Sequence, residues 1–216
     1  MPQTPRLSIV IVTHNSLNEI DACLASLSTH PPSLGHETLV VDNASPDGTA
    51  VAVRQRWPHV RVIGSGVNLG FARASNIGVQ HTSGELVLLL NPDTIAPAGA
   101  LDALVACLDA RSDTAVVGPR LVDASGRTEL SFGTMIGPLT ELRQKLLVVG
   151  NDSRSTLIGS YVSRLTRRTR EADWVSGACL LVRRADALAV GLFDERYFMY
   201  AEDVDFCAAI RARGRK

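Results

Sequence analysis

The chain has 216 residues, 45% of them hydrophobic, enough for one domain with a substantial core, or one domain with a small appendage. Lysine plus arginine equal aspartate plus glutamate at 22 each, so no broad positive field points to nucleic acid. The four cysteines, Cys23, Cys107, Cys179 and Cys207, are far apart and form no C-x-x-C pair, which reads as reduced core residues of a cytosolic protein.

The start, Met1 to Arg6 ahead of a short apolar run, is too short for a signal peptide, and no apolar run reaches the length of a bilayer span. Residues 7–12 read as a first strand, nearly all apolar. Thr13-His14-Asn15-Ser16 follows, and Asn15 or Ser16 can cap a helix reaching about residue 27, with Leu17, Ile20, Leu24 and Leu27 on one face. A second strand over 38–41 ends on Asp42-Asn43-Ala44-Ser45-Pro46-Asp47-Gly48, a run of turn formers that leads into a helix through Trp57. A third strand spans 60–63, and the loop 64–70 opens a helix over 71–81. Leu86-Val87-Leu88-Leu89-Leu90 then runs into Asn91-Pro92-Asp93. An unbroken apolar run bounded by polar residues predicts a strand buried on both faces, and Pro92 bars helical continuation. A helix over 97–110 and a strand over 115–117 extend the alternation, which predicts an α/β fold with a mostly parallel sheet and helices on both faces.

After Pro119 the pattern changes. Residues 123–127 predict a hairpin turn, 139–170 a helical stretch broken near 150–152, and 174–182 a strand. Residues 184–190 read as a short helix stopped by Gly191, and 203–213 as the last helix. The stretch 139–170 carries Arg143, Lys145, Arg154, Arg164, Arg167, Arg168 and Arg170. These make either a solvated helix face or a surface for anionic lipid headgroups or a lipid diphosphate.

Several residues can carry chemistry. Asp93 lies just past the carboxyl end of a strand, the edge where open parallel sheets bind ligands. A carboxylate there can hold a hard divalent cation and, through it, a diphosphate, although turn chemistry explains Asn91-Pro92-Asp93 equally well. Asp42 closes the second strand and can accept from a ribose hydroxyl or a pyrimidine N–H, or simply serve its turn. Asn68-Leu69-Gly70 precedes a helix N-terminus that favours an anion, and Arg73 beyond it can pair with phosphate or stand unpaired on the surface. Gly64-x-Gly66-x-x-x-Gly70 has Leu69 where a dinucleotide fingerprint needs glycine and follows the third strand, which argues against a nicotinamide or flavin cofactor. Aromatic residues from Tyr197 lead into Glu202, Asp203 and Asp205 at a helix start. These acids either oppose the helix dipole or supply a general base whose pKa is raised by its neighbours. The histidines show no metal spacing, and no Ser-His-Asp set is identifiable.

With these residues in place, the chain resembles the family-2 glycosyltransferases of GT-A type from Leu7 to Gly214. The resemblance is carried by Ser8-Ile9-Val10-Ile11-Val12-Thr13-His14-Asn15, by Val40-Val41-Asp42-Asn43-Ala44-Ser45-Pro46-Asp47-Gly48, and by Asn68-Leu69-Gly70-Phe71-Ala72 with Asn76-Ile77-Gly78. Asn91-Pro92-Asp93 stands at the D-x-D metal motif, and Trp174-Val175-Ser176-Gly177-Ala178-Cys179, Phe193-Asp194-Glu195 and Glu202-Asp203-Val204-Asp205 resemble the acceptor half. The wording is similar to that of bacterial rhamnosyltransferases of cell-envelope polysaccharide synthesis.

The resemblance implies a single GT-A, Rossmann-like domain, with 1–119 as the nucleotide-sugar-binding half and 120–216 as a smaller, mixed acceptor-side half. It implies that Thr13, Asn15 and Asp42 hold base and ribose, that Asn68 and Gly70 belong to the donor site, and that Asn91 contacts ribose or phosphate. Asp93 would bind Mg2+ or Mn2+, and Arg73 would help neutralise the leaving diphosphate. Asp203 would take the proton of the acceptor hydroxyl in an inverting displacement, with Trp174, Gly177 and Glu202 on the acceptor side. The implied partners are a nucleotide-diphosphate sugar and a glycan or polyprenyl-linked acceptor, met in the cytoplasm at the inner face of the membrane. Asn91 replaces the first carboxylate of the motif. The family pattern continues past the position of Lys216 with another strand and a metal-binding histidine, so the 216 residues are expected to be a C-terminally truncated piece. The alternatives are a nucleotide-sugar-binding domain without turnover and a nucleotidyltransferase.

Overall fold

Strand-forming segments rich in Val, Ile and Leu alternate with amphipathic segments through the first half of the chain, and the structure follows that order. The computed structural model describes residues 4–135, 162, 164 and 166–216. Its elements are Leu7–Thr13 (β1), Ile20–Thr29 (α1), His36–Asp42 (β2), Thr49–Arg56 (α2), Arg61–Gly64 (β3), Phe71–Gln80 (α3), Leu86–Leu90 (β4) and Ala100–Asp109 (α4). Val116–Val117 (β5), Phe132–Gly133 (β6), Trp174–Val175 (β7), Cys179–Arg183 (β8), Arg184–Ala189 (α5) and Glu202–Ala212 (α6) follow.

A six-stranded sheet has the order β3-β2-β1-β4-β8-β5. The first four strands pair in parallel, and β8 is antiparallel to both β4 and β5. Strand β8, from the half expected to meet the acceptor, is thus inserted into the sheet of the other half. The predicted strand over 174–182 is corrected here: it divides at Ser176-Gly177-Ala178 into β7, which pairs with β6, and β8. The first helix also starts later than expected. Asn15 stands at φ 56, and the carbonyl of buried Ser16 accepts from Glu19 and Ile20 N–H, so a turn precedes α1 and no side chain caps it. The hairpin turn at 123–127 is present, closed by Asp123 N–H to the Arg127 carbonyl at 2.8 Å. Most of the helical stretch expected over 139–170 lies outside the described residues.

The period-two alternation of a strand decides which layer each side chain joins. Ile9, Ile11, Leu88 and Leu90 pack with Ile20 and Leu24 of α1 and Leu101 and Leu108 of α4. Val10, Val41, Val87 and Leu89 face the other way, against Ala72 and Val79 of α3 and Phe206 and Ile210 of α6. Each fully buried Leu or Ile contributes roughly 1.5–3 kcal/mol of transfer free energy. Gly78 lets α3 lie directly on β1, since a Cβ there would stand 2.2 Å from Val10 Cγ1. Asn76, also on α3, is buried and exchanges hydrogen bonds with both the carbonyl and the N–H of Phe193, at 2.9 and 3.0 Å. That pair fixes the segment leading into α6. Among the described residues no helix is long and apolar enough to cross a membrane.

Candidate active site

Because β1, β2 and β4 run in parallel, Thr13, Asp42 and Leu90 end at one edge of the sheet. Strand β8 is antiparallel and begins there, with Cys179 opposite Leu90. A cavity of about 400 Å3 opens along this edge. Asn68, Gly70, Asn91, Asp93, Gly177, Glu202 and Asp203, seven of the residues expected at the site, line it. Asp93 and Asp203 therefore share one open space.

The other expected residues stand elsewhere. Thr13 and Asp42 lie just behind the wall, 0% and 5% exposed, with Thr13 Oγ1 donating to Asp42 Oδ1 at 3.1 Å. The second Asp42 oxygen accepts from Ser45 N–H at 3.2 Å, so this carboxylate organises the loop 42–45. Asn15 is exposed, and its N–H donates to Ser45 Oγ at 3.0 Å. Arg73 is outside the cavity lining, in an ion pair with Glu195 at 3.4 Å in which both side chains are about half exposed. Trp174 faces away too: its indole N–H donates to the Thr134 carbonyl at 3.1 Å, and the residue lines a smaller pocket with Asp173, Cys207 and Arg211. The strand division at 176–178 is the physical reason, because it sets Trp174 in β7 and the cavity-lining residues in the turn that follows.

Sequence reasoning missed the side chain that organises the wall built by the loops after β2 and β3. Asn43 is 3% exposed and uses its amide fully. Its NH2 donates to Asn68 Oδ1 at 2.9 Å and to the Gly70 carbonyl at 3.3 Å. Its oxygen accepts from Leu69 N–H at 2.9 Å and Ser65 Oγ at 3.1 Å. His14 Nδ1 lies 2.9 Å from the Asn43 carbonyl oxygen and also lines the cavity. The available signal was position, since Asn43 directly follows the last residue of β2. Gly70 ties this wall to the opposite one. It has φ 80 and ψ 171, a region held almost only by glycine, and a Cβ there would meet the Phe198 carbonyl oxygen at 2.3 Å.

The opposite wall is built by the turn before β8 and the start of α6. Asp203 sits in the first turn of α6, where its Oδ2 accepts from Gly177 N–H at 3.0 Å and its Oδ1 from Val204 N–H at 2.8 Å. Gly177 is confined by Phe71, whose ring carbon would lie 3.2 Å from an added Cβ. Glu202 is 6% exposed, and among the described residues its Oε2 has no hydrogen-bond partner. Burial pushes its carboxyl up from the ordinary range, and the Asp203 carboxylate pushes the same way. The two neighbours thus differ: Asp203 is oriented by backbone donors, and Glu202 keeps an unused oxygen beside the cavity. Asn91 N–H donates to the Ala178 carbonyl at 2.9 Å, joining the loop of Asp93 to the turn of Gly177.

Among the described residues no group of three or more His, Cys, Asp and Glu side chains can hold a metal ion. Asp93 is exposed on the cavity, and among the described residues its carboxylate makes no hydrogen bond or ion pair. One unpaired carboxylate suits a hard cation that takes its remaining oxygens from phosphate and water. Cysteine ligation is disfavoured nearby: burial, with the Asp93 charge adding to it, pushes the Cys23 thiol up to about 12.

The glycosyl transferase family 2 profile matches residues 8–184. The N-acetylglucosaminyl-diphospho-decaprenol L-rhamnosyltransferase of Mycobacterium tuberculosis is 34% identical over 216 residues, covering 94% of this chain and 69% of its own. The rhamnosyltransferase WbbL of Escherichia coli is 23% identical over 224 residues, covering 95% of this chain and 77% of its own. Among solved structures, the mannosyltransferase PcManGT of Pyrobaculum calidifontis, in complex with GDP-Man and Mn2+, superposes with a TM-score of 0.65 at 21% identity. All of this chain is covered there, and it spans 54% of that protein. The shared sheet is the GT-A fold, and with a family profile spanning most of its length the chain belongs to glycosyl transferase family 2.

Proposed function

We propose that the chain is an inverting, metal-dependent glycosyltransferase that moves a sugar from a nucleotide-diphosphate sugar to a hydroxyl of a glycan or polyprenyl-linked acceptor. Rhamnose is the sugar favoured by the two named rhamnosyltransferases, and decaprenol diphosphate in the name of one of them supports the acceptor class. The observation that carries the reading is that Asp93 and Asp203 line one cavity at the carboxyl edge of the sheet. We place the reaction in the cytoplasm, at the inner face of the membrane that holds such an acceptor.

Asp42 and Thr13 would brace the loop beneath the nucleoside, while Asn68, Gly70 and Asn91 line the donor side. Asp93 is the residue to hold Mg2+ or Mn2+, which when bound would offset charge on the diphosphate. Asp203 accepts the proton of the acceptor hydroxyl as that oxygen forms its bond to the anomeric carbon. The carbon–oxygen bond to the diphosphate breaks on the opposite face, and the nucleoside diphosphate leaves with the electron pair. Gly177 N–H keeps the Asp203 carboxylate aimed during this step. Glu202 lies beside it in the same wall, on the acceptor side of the cavity. Arg73, paired with Glu195 outside the wall, is left out of the step.

The test is transfer from a panel of nucleotide sugars with Mn2+, alongside thermal shift. Nucleoside diphosphate and Mn2+ together raise the melting temperature by linkage. Asp203→Asn lowers the transfer rate by about 10²–10⁴-fold with donor binding kept. An unchanged rate would refute the assignment of the base. Asp93→Ala removes the Mn2+ dependence of nucleotide binding in titration calorimetry; retained dependence would sink the metal assignment. Donor binding without transfer in the parent chain would favour a binding domain, and pyrophosphate release from a nucleoside triphosphate would favour a nucleotidyltransferase.

A further inference from the structure

A second cavity, also of about 400 Å3, opens beside the first. Consecutive residues line the two: Val175 the second and Ser176 the first. The loop after β5 packs against the same turn, where a Cβ on Gly118 would lie 3.0 Å from Val175 Cβ. The second cavity has a divided character. Its floor is the face of α4 that carries Ala100, Ala103, Leu104 and Cys107, at the i, i+3, i+4, i+7 spacing of one helical stripe. Val117 and Phe132 complete the apolar part. Its rim holds Arg120, Arg167, Arg168 and Arg170, and among the described residues no carboxylate lines it. In a chain with 22 acids against 22 basic residues, four arginines without an acid are a local excess of positive charge.

The arginines are not consumed by the fold. Arg167 and Arg168 are exposed and form no ion pair among the described residues. Arg170 lies over the Phe132 ring, 5.7 Å from its centroid, which orients the guanidinium and leaves its charge in place. Arg120 donates through Nε and Nη2 to Thr128 Oγ1, which fixes one edge of its fork. Guanidinium forks match phosphate oxygens in pairs, and an apolar floor beneath them matches hydrocarbon. Free nucleotides would leave the floor unused, and a flat lipid surface would not enter a concave space.

We infer that this second cavity seats the isoprenoid diphosphate of a lipid-linked acceptor, with the arginines on the diphosphate and the α4 face under the first isoprene units. The inference rests on the proposed function and names where that acceptor's lipid end is held, next to the cavity that would receive its sugar.

The experiment is calorimetry of the chain with farnesyl diphosphate, without divalent cation, against inorganic pyrophosphate. Farnesyl diphosphate binds at least about tenfold tighter than pyrophosphate, because only it uses the floor. The double substitution Arg167→Glu with Arg168→Glu weakens farnesyl diphosphate by about 10–100-fold. Ala103→Trp, at an exposed position of α4, weakens farnesyl diphosphate and spares pyrophosphate. Neither variant changes binding of a nucleoside diphosphate with Mn2+. Equal affinities for the two ligands, no loss in the variants, or displacement of farnesyl diphosphate by the nucleotide would overturn the inference. So would loss of binding to phosphatidylglycerol vesicles in the arginine variant when the parent chain does not bind farnesyl diphosphate, which would mark a lipid-surface contact only. A parent chain that binds farnesyl diphosphate and no nucleoside diphosphate would sink the glycosyltransferase mechanism and leave this cavity's ligand standing; the reverse result would sink only the cavity.

Discussion

The two walls of the reaction cavity are built on opposite principles. On the wall proposed to meet the donor, Asp42 and Asn43 are almost fully buried, and their side-chain oxygens and amide are bonded to Thr13, Ser45, Ser65, Asn68 and the backbone of Leu69 and Gly70. On the wall proposed to meet the acceptor, Glu202 has a buried oxygen with no partner among the described residues, Tyr200 and Ala201 stand consecutively at φ 69 and 68, and Phe198, Met199 and Tyr200 are 57%, 53% and 80% exposed. A saturated polar network rigidifies its segment, whereas left-handed non-glycine residues store about 1–2 kcal/mol each. The contrast suits the proposed function, in which the site holds one constant group, a nucleoside diphosphate, and accepts a variable one.

That contrast can be broken most forcefully where the walls touch. Gly70→Ala introduces a side chain into a glycine-only backbone region and against the Phe198 carbonyl. It should cost about 2–5 kcal/mol in denaturant unfolding, since either the donor loop or the 198–203 segment must move. A cost below about 1 kcal/mol would show that the walls are not coupled through this contact. Relieving the acceptor wall has a smaller effect: Ala201→Gly should stabilise by about 0.5–1 kcal/mol, the left-handed strain less the added unfolded-state entropy. Destabilisation would deny that the segment is strained. The smallest effect depends on pH. Burial raises the Glu202 carboxyl above its unfolded value of 4.5, so the folded state binds the extra proton. Its contribution to stability is therefore fully present below pH 4.5 and is lost as pH rises through the folded value. Glu202→Gln should raise the melting temperature at pH 7–8 and lose that advantage below about pH 4.5. An increment that is the same at both pH values would contradict a buried, orphaned carboxylate.

The donor wall was also the more legible in the sequence. An unbroken run such as Leu86–Leu90 admits only a doubly buried strand once Pro92 stops it, and β4 is buried at every position. With the strands in parallel, the positions of Asp93 and Asn91 at the ligand edge follow from topology alone. The acceptor side resists such reading, because its shape depends on contacts distant in sequence. The residues around Trp174 read as one strand with the segment through 182, and nothing local shows that Gly177, wedged against Phe71, divides it. Trp174 consequently lies away from the cavity that Gly177 lines. Arg73 was assigned by its charge, but its neighbour across the fold, Glu195, is 122 positions away in the numbering and invisible to spacing. Asn43 was passed over because a polar residue in a turn reads as solvated, and its burial appears only when the 68–70 loop closes on it.

The antiparallel insertion of β8 beside β4 has one more consequence. Neighbouring strands keep a separation of about 4.8 Å whatever their side chains. The loop with Asp93 leaves the end of β4, and the turn that grips Asp203 enters the start of β8, with Asn91 and Ala178 hydrogen-bonded between them. The backbone ladder thus serves as a gauge between the end of the molecule that would anchor the departing group and the end that would receive the proton.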